Sequence, residues 1–290
     1  MFVVTAVAND RSPDLCRQAL AKGRHVFAEK PIGKTANDVA AVVDAAAQQG
    51  LTLGVCYQNR RHPLVVEARN IVSQGLLGEL MSVNMQLITT QVRFRNPAHW
   101  LFQRSRAGGG MLSWLGCHYL DMMRYVSGDE IVAVSAQIAT RSGEEIDVED
   151  VATLALRFRS GAVGTLHVGY ALALSGAGYE NRQGYATHVN FNGRMGRIEW
   201  SGASIPPDVL HAESVHPAWA SAPRREFKYT LAESPAYGGA HGVAFLREFI
   251  AATQGVGEAP ATGQDALRVA QIVDAAYLAA SSGRTIDLSV

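Results

Sequence analysis

The first 55 residues alternate short β-branched runs with apolar-periodic stretches, and this alternation restricts the fold more than any other feature of the chain. Phe2-Val3-Val4-Thr5-Ala6-Val7 opens at full hydrophobic density and predicts a strand buried on both faces of a parallel sheet. Ser12-Pro13-Asp14 then supplies an N-cap, a proline at the first helical position and a first-turn acid, for a helix that stops at Gly23. A second strand, His25-Val26-Phe27-Ala28, ends at Glu29-Lys30-Pro31. Thr35 starts an Ala/Val-rich helix that runs to Gly50, and Leu51 to Val55 predicts a third buried strand. A β-α-β-α-β order of this kind is a piece of a doubly wound α/β sheet, whose ligands bind in the crevice outside the carboxyl ends of the strands.

After Pro63 the pattern changes. An amphipathic stretch to Gln74 ends at Gly75, and strands with partial alternation are predicted over Leu80–Thr90, Ile131–Thr140, Val151–Arg159, Ala162–Tyr170, His188–Phe191 and Arg197–Trp200. Turn residues such as Ser160-Gly161 join several of them as hairpins, which makes the sheet largely antiparallel. One long helix interrupts the series, from about Met111 to Val126. Ser201 to Pro235 reads as loop with short strands, and helices near Gly242–Thr253 and Gln264–Ala280 close the chain. The expected fold is therefore α/β for residues 1–62, followed by an α+β domain over residues 63–290 whose final helices return to the first.

Among 290 residues, 48% are apolar, enough to bury a substantial core. Lys plus Arg and Asp plus Glu each number 26, so the net charge of zero offers no broad attraction for nucleic acid or an anionic membrane, and points to a small-molecule partner. Cys16, Cys56 and Cys117 are odd in number and far apart, against a disulfide framework or a zinc cluster, and fit a reducing cytoplasm. Neither a spanning segment nor a signal peptide is apparent. The nine histidines show no metal-ligand spacing.

Lys30 sits where a parallel strand ends, and an ammonium there can assist proton transfer at a substrate hydroxyl, with Glu29 beside it; a solvated strand-end pair would look the same. Pro31 fixes the turn and is a candidate for a cis bond. Gly108-Gly109-Gly110 lets a backbone approach a ligand and feeds the helix bearing Trp114, His118 and Asp121. Trp114 lies one turn before His118 on the same face, and Asp121 follows at a spacing that can orient an imidazole. The alternative is a core histidine packed among Leu115, Met122 and Met123. Arg93, Arg95, Arg104 and Arg106 are interleaved with Phe94, His99, Trp100 and Phe102: aromatic faces for a sugar ring with guanidinium forks for hydroxyls, carboxylate or phosphate, or else a solvated loop. Arg60, Trp100, Arg104 and Trp114 are the candidate substrate contacts.

The strand ending in Glu29-Lys30-Pro31, the Gly54 to Pro63 segment, Gly75-Leu76-Leu77-Gly78, and Gly108-Gly109-Gly110 with His118 and Asp121 together resemble the glucose-fructose oxidoreductase and inositol dehydrogenase family (Gfo/Idh/MocA). The tail agrees, from Ala261-Thr262-Gly263-Gln264-Asp265-Ala266 to Ser281-Ser282-Gly283-Arg284. The resemblance implies a Rossmann domain for NAD or NADP and a second domain whose open sheet face often mediates homo-oligomerisation. It also implies hydride transfer to or from a hydroxyl or carbonyl carbon of a sugar, polyol or related molecule. By position, Lys30 and His118 match the catalytic pair, Asp121 their support, and Asn9, Glu29, Lys30 and Pro31 the cofactor border. No metal is implied.

Two departures accompany it. The strand, GxGxxG turn and helix that usually open such chains do not occur before Phe2, so the sequence resembles an N-terminally shortened member with a weakened hold on pyrophosphate. Trp114 stands where many members carry an aspartate. These departures keep open a non-catalytic ligand-binding or association module, and a catalyst that eliminates or hydrolyses through transient oxidation.

Overall fold

Three parallel strands, β1 (Phe2–Thr5), β2 (His25–Ala28) and β3 (Leu53–Val55), pair in chain order in the computed structural model, with Val3 opposite Val26 and Phe27 opposite Gly54. The structure describes residues 1–173, 184–202, 209–230, 234 and 239–288. β2 and β3 are buried as expected, but β1 differs: it forms an edge of the sheet, and Val3 and Val4 are exposed. Helices α1 (Ser12–Ala21) and α2 (Ala36–Gln48) connect the strands. The α1 N-cap is Arg11, not Ser12, which is already helical and sits 3.9 Å from the Cys16 thiol; Thr35 caps α2 as its sequence predicts, in a reciprocal box with Asp38.

The second sheet has nine strands: β4 (Leu80–Thr90), β5 (Ile131–Ala139), β6 (Val151–Phe158), β7 (Val163–Leu172), β8 (Tyr185–Gly193), β9 (Gly196–Gly202), β10 (Val209–Ser214), β11 (Arg224–Lys228) and β12 (Ile286–Asp287). Their order is β11-β10-β9-β8-β4-β7-β6-β5-β12, antiparallel throughout except for the parallel pair β4 and β7 at its centre. The turn at Ser160-Gly161 does join β6 to β7. β10 and β11 lie in the stretch expected to be loop with short strands; of that stretch, residues 203–208, 231–233 and 235 are outside the described residues.

The remaining helices are α3 (Pro63–Ser73), α4 (Arg104–Ala107), α5 (Cys117–Ser127), α6 (Gly239–Thr253) and α7 (Gly263–Ser282), with a π turn over Leu112–Gly116 running into α5. α7 packs on β5, β3 and α2. Phe249 of α6 lies 5.0 Å from Phe27 and 5.4 Å from Phe2 between ring centroids, and a Cβ at Gly54 would enter its ring. The closing helices thereby tie the first sheet into the same apolar core as the second. No described helix is long and apolar enough to cross a membrane.

Candidate active site

Lys30 follows the carboxyl end of β2, and the Lys30-Pro31 bond is cis. Its side chain is buried, and Nζ donates to the Trp114 carbonyl oxygen at 2.7 Å. That carbonyl belongs to the π turn, a local widening that recurs at functional sites. The sheet's carboxyl edge and the head of α5 thus meet at one ammonium.

His118 lies one turn beyond. Its ring is half-buried, the edge of Tyr57 stands 5.9 Å away at 76°, and Nδ1 is buried without a hydrogen-bond partner. Burial, and secondarily the charge of Lys30, hold the imidazole well below its ordinary protonation range. A neutral imidazole has one donor and one acceptor, so His118 can take a proton at neutral pH.

Trp114 is half-buried and stacks on Tyr170 with 6.4 Å between centroids and 25° between planes. Lys30 Nζ is 5.6 Å from the indole centroid and the Arg95 guanidinium carbon 5.7 Å, with Arg95 also 5.2 Å from the Tyr170 centroid. Arg95 donates to the Thr89 hydroxyl at 3.2 Å, which anchors it to the end of β4. The site therefore lies between the carboxyl edge of the first sheet and the ends of β4 and β7.

Asn9, in the loop after β1, is buried and its amide donates to the Ala107 carbonyl at 2.8 Å, fastening that loop to α4. Glu29 is half-buried against Cys56, whose thiol is pushed up first by burial and then by that carboxylate. Pro31 borders a small cleft with Tyr57, Ser113 and Cys117.

Other candidates have different roles. Both oxygens of buried Asp121 accept from Arg60, at 2.6 and 3.0 Å, so the carboxylate expected to steer His118 is engaged on the opposite partner. Arg60, expected at the substrate, is itself buried. Its five N–H groups are distributed over Asp121, the Pro260 carbonyl and Asp265. It links the 3₁₀ turn Gln58–Arg61 to α5 and the head of α7. Arg104 donates to the Asp147 carbonyl at 3.0 Å, and Trp100 lies half-buried beside His99. Neither has a described contact with Lys30, Trp114 or His118.

The glycine run is likewise internal. The N–H groups of Gly110 and Leu112 donate to the Glu149 carboxylate at 2.8 and 2.9 Å, and Tyr277 donates to the same group at 2.9 Å. A Cβ at Gly109 would strike the Tyr277 hydroxyl, and one at Gly110 the Glu149 carbonyl. These glycines admit the protein's own groups, and the helix head already holds an anion. Glu149 went unseen in the sequence because nothing in Asp147-Val148-Glu149-Asp150 marks a partner 39 residues upstream. Tyr57 and Tyr170 were also missed, although Tyr57 stands just past the carboxyl end of β3, a position that marks it.

A profile described as the oxidoreductase family, NAD-binding Rossmann fold, matches residues 2–57, and one described as the GFO/IDH/MocA C-terminal domain matches residues 65–199. The chain belongs to the Gfo/Idh/MocA family. Within the Gfo/Idh/MocA family it is 27% identical to levoglucosan dehydrogenase of Pseudarthrobacter phenanthrenivorans over 257 residues, 80% of this chain and 62% of that protein. Identity to 1,5-anhydro-D-fructose reductase of Ensifer adhaerens is 26%, over 61% of this chain and 53% of the reductase. The chain thus spans less than two thirds of the length of these curated relatives. Aldose-aldose oxidoreductase from Caulobacter crescentus, solved with glycerol, superposes with a TM-score of 0.80 at 26% identity, covering 99% of this chain and 79% of that one. A levoglucosan dehydrogenase solved with NADH and levoglucosan gives a TM-score of 0.85 at 24% identity, a likeness of fold, over 100% of this chain and 80% of that one.

Proposed function

We infer that the chain supplies the proton-handling and substrate half of an NAD(P)-dependent oxidoreductase acting on a sugar, polyol or related hydroxyl. The observation that carries this reading is the buried ammonium of Lys30 beside the orphaned Nδ1 of a neutral His118. That donor set suits an oxygen passing between alcohol and carbonyl, and so fits the nicotinamide end of a cofactor, with Asn9, Glu29, Lys30 and Pro31 as its border. When bound, the nicotinamide accepts or returns the hydride. In the oxidising direction the substrate hydroxyl gives its proton to His118, while Lys30 stabilises the negative charge growing on that oxygen; reduction reverses both steps. Tyr57 and the π turn hold the two groups in place, while Asp121, paired with Arg60, belongs to the frame and takes no part in the proton transfer. Levoglucosan and 1,5-anhydrofructose, named for the relatives, set the substrate class to test.

Turnover of a panel of aldoses, anhydrosugars and inositols, followed by nicotinamide absorbance at millimolar NAD or NADP, tests the reading. Lys30→Met keeps the stem and removes the charge, so turnover falls by about two orders of magnitude with an unchanged melting temperature. Unchanged turnover assigns Lys30 to structure. A ligand-binding module without turnover is the second reading, favoured by Glu149 filling the glycine turn; sugar binding with no hydride transfer at saturating cofactor would establish it.

A further inference from the structure

One residue occupies the head of the helix that follows the glycine run. The N–H groups of Gly110 and Leu112 donate to the two carboxylate oxygens of Glu149, and the Met111 N–H between them donates to the Glu149 backbone carbonyl at 3.1 Å. Glu149 is 1% exposed, and the other described partner of its carboxylate is the Tyr277 hydroxyl of α7, so no cation is among these partners. Taking a carboxylate out of water without a cation is costly, and here three donors and the positive end of a helix offset the cost. An ionised carboxylate suits three donors because it only accepts, whereas an amide would turn its own N–H groups towards one of them. From this head a chain of hydrogen bonds leads to Lys30. The Gly110 carbonyl accepts from the Trp114 N–H at 3.0 Å, and the Trp114 carbonyl accepts from Lys30 Nζ at 2.7 Å and from the Cys117 thiol at 3.4 Å. Gly110 is therefore held by Glu149 at its nitrogen and holds Trp114 at its oxygen, and the fit is close, since a Cβ at Gly110 would enter the Glu149 carbonyl. A misplacement of about 1 Å at a reacting group can cost about a hundredfold in rate, so the seat of this turn matters to the ammonium it directs.

We propose that Glu149 is a positioning residue of this site: its carboxylate, locked by Tyr277, seats the head of the π turn so that the Trp114 carbonyl holds the Lys30 ammonium where the reacting oxygen comes. The proposal rests on the oxidoreductase reading for what Lys30 does there, and on the hydrogen-bond chain for how Lys30 is held. It also gives the glycine run its purpose, which is to admit Glu149 and Tyr277 to the helix head.

The test compares the full chain with Glu149→Gln and with the milder Tyr277→Phe, which leaves the carboxylate and both N–H bonds in place. Two quantities are read: steady-state constants per folded molecule, and the rate at which acetic anhydride acetylates Lys30 at one fixed pH, followed by mass spectrometry with the exposed Lys22 and Lys228 as internal references. In Glu149→Gln, kcat is expected to fall about tenfold with little change in the KM for sugar, and Lys30 acetylation to rise about tenfold as the ammonium leaves its buried seat, the scale of one lost charge-assisted contact. Tyr277→Phe moves both quantities the same way by a smaller factor. A normal kcat in Glu149→Gln, a fall in kcat with Lys30 acetylation unchanged, or acetylation of Lys22 and Lys228 rising in parallel overturns the proposal. Should Glu149→Gln fail to fold, parent values of both quantities in Tyr277→Phe overturn it alone. Turnover in the parent, with neither quantity moved in either variant, removes this proposal and leaves the oxidoreductase reading intact. A parent without turnover on any sugar, whose Lys30 acetylation still rises in Glu149→Gln, removes that reading and keeps the coupling of Glu149 to Lys30.

Discussion

At the residue scale, the proposed site separates groups assigned to the substrate from groups that hold the frame, and two substitutions test the difference. Trp114 touches Lys30 through its carbonyl and its ring, and Tyr170 through stacking, yet its own ring is only half-buried. Trp114→Ala is expected to raise KM several-fold, since a ring platform contributes to holding the substrate. Trp114→Asp does not improve on it, because a pocket shaped around an indole gains a cavity and a charge. Steady-state kinetics paired with thermal melts decide: a large loss of stability with normal constants per folded molecule would place Trp114 in the core. Arg60 gives the opposite pattern. Its guanidinium is buried between Asp121 and Asp265, which hold it protonated, and Arg60→Met would strand the buried Asp121 and leave Asp265 to Arg124 and Thr262. Breaking such a pair from one side costs about 3–5 kcal/mol. Urea unfolding should show that loss, while kinetic constants per folded molecule stay near those of the parent; a large kcat defect in a fully stable Arg60→Met protein would return Arg60 to the substrate.

At the element scale, histidines at helix ends make stability depend on pH. His62 caps α3 through Nδ1, which accepts from the Leu64 N–H, and its ring packs 5.3 Å from His241 of α6. Burial, then the neighbouring His241, lower the His62 pKa to about 4, and burial lowers that of His241 as well. An unfolded histidine protonates near pH 6.5, so the unfolded chain binds a proton that the folded chain refuses as pH falls from 6.5 towards 4. Stability is full above pH 6.5 and declines through that window, by on the order of 3 kcal/mol for His62 alone. His62→Asn keeps a capping oxygen without the titration, and should flatten the urea midpoint between pH 7 and 5; an unchanged slope would clear His62 of the effect. Sequence reading reached the elements whose signals are local. Thr35 with Asp38 marks α2 by a capping box, and Ser160-Gly161 marks a hairpin. It failed where partners are distant. Asp121 stands three residues from His118, which suggests an orienting pair, but Arg60 arrives from 61 residues away and takes the carboxylate. The glycine run reads as a ligand cradle until Glu149 fills it. β1 has the composition of a buried strand, and only the sheet order shows it to be an edge. β12 has two residues, too few to carry a periodicity.

At the scale of the whole molecule, the two sheets share one core, yet cofactor affinity depends on local donors alone, because a net charge of zero lends a dinucleotide's phosphates no long-range attraction. Pyrophosphate is usually held by a glycine turn whose backbone N–H groups point at it from a helix head. The 290 residues contain no GxGxxG, and at the end of their one Gly-Gly-Gly run the N–H groups of Gly110 and, two residues on, Leu112 donate to Glu149 inside the protein. A charge-assisted hydrogen bond contributes about 1.5–3 kcal/mol, so two such bonds to phosphate correspond to roughly a hundredfold or more in affinity. This chain should therefore bind NADH with a dissociation constant in the high micromolar range or above, and gain little from exchanging NADH for NADPH. Nicotinamide mononucleotide, which lacks the adenosine half, should bind nearly as well as the dinucleotide, because the cofactor border proposed for this chain is Asn9, Glu29, Lys30 and Pro31. Calorimetry with NADH and with reduced nicotinamide mononucleotide separates the outcomes. Low-micromolar NADH binding with a mononucleotide a hundredfold weaker would mean that the chain holds pyrophosphate through donors other than those at the glycine run.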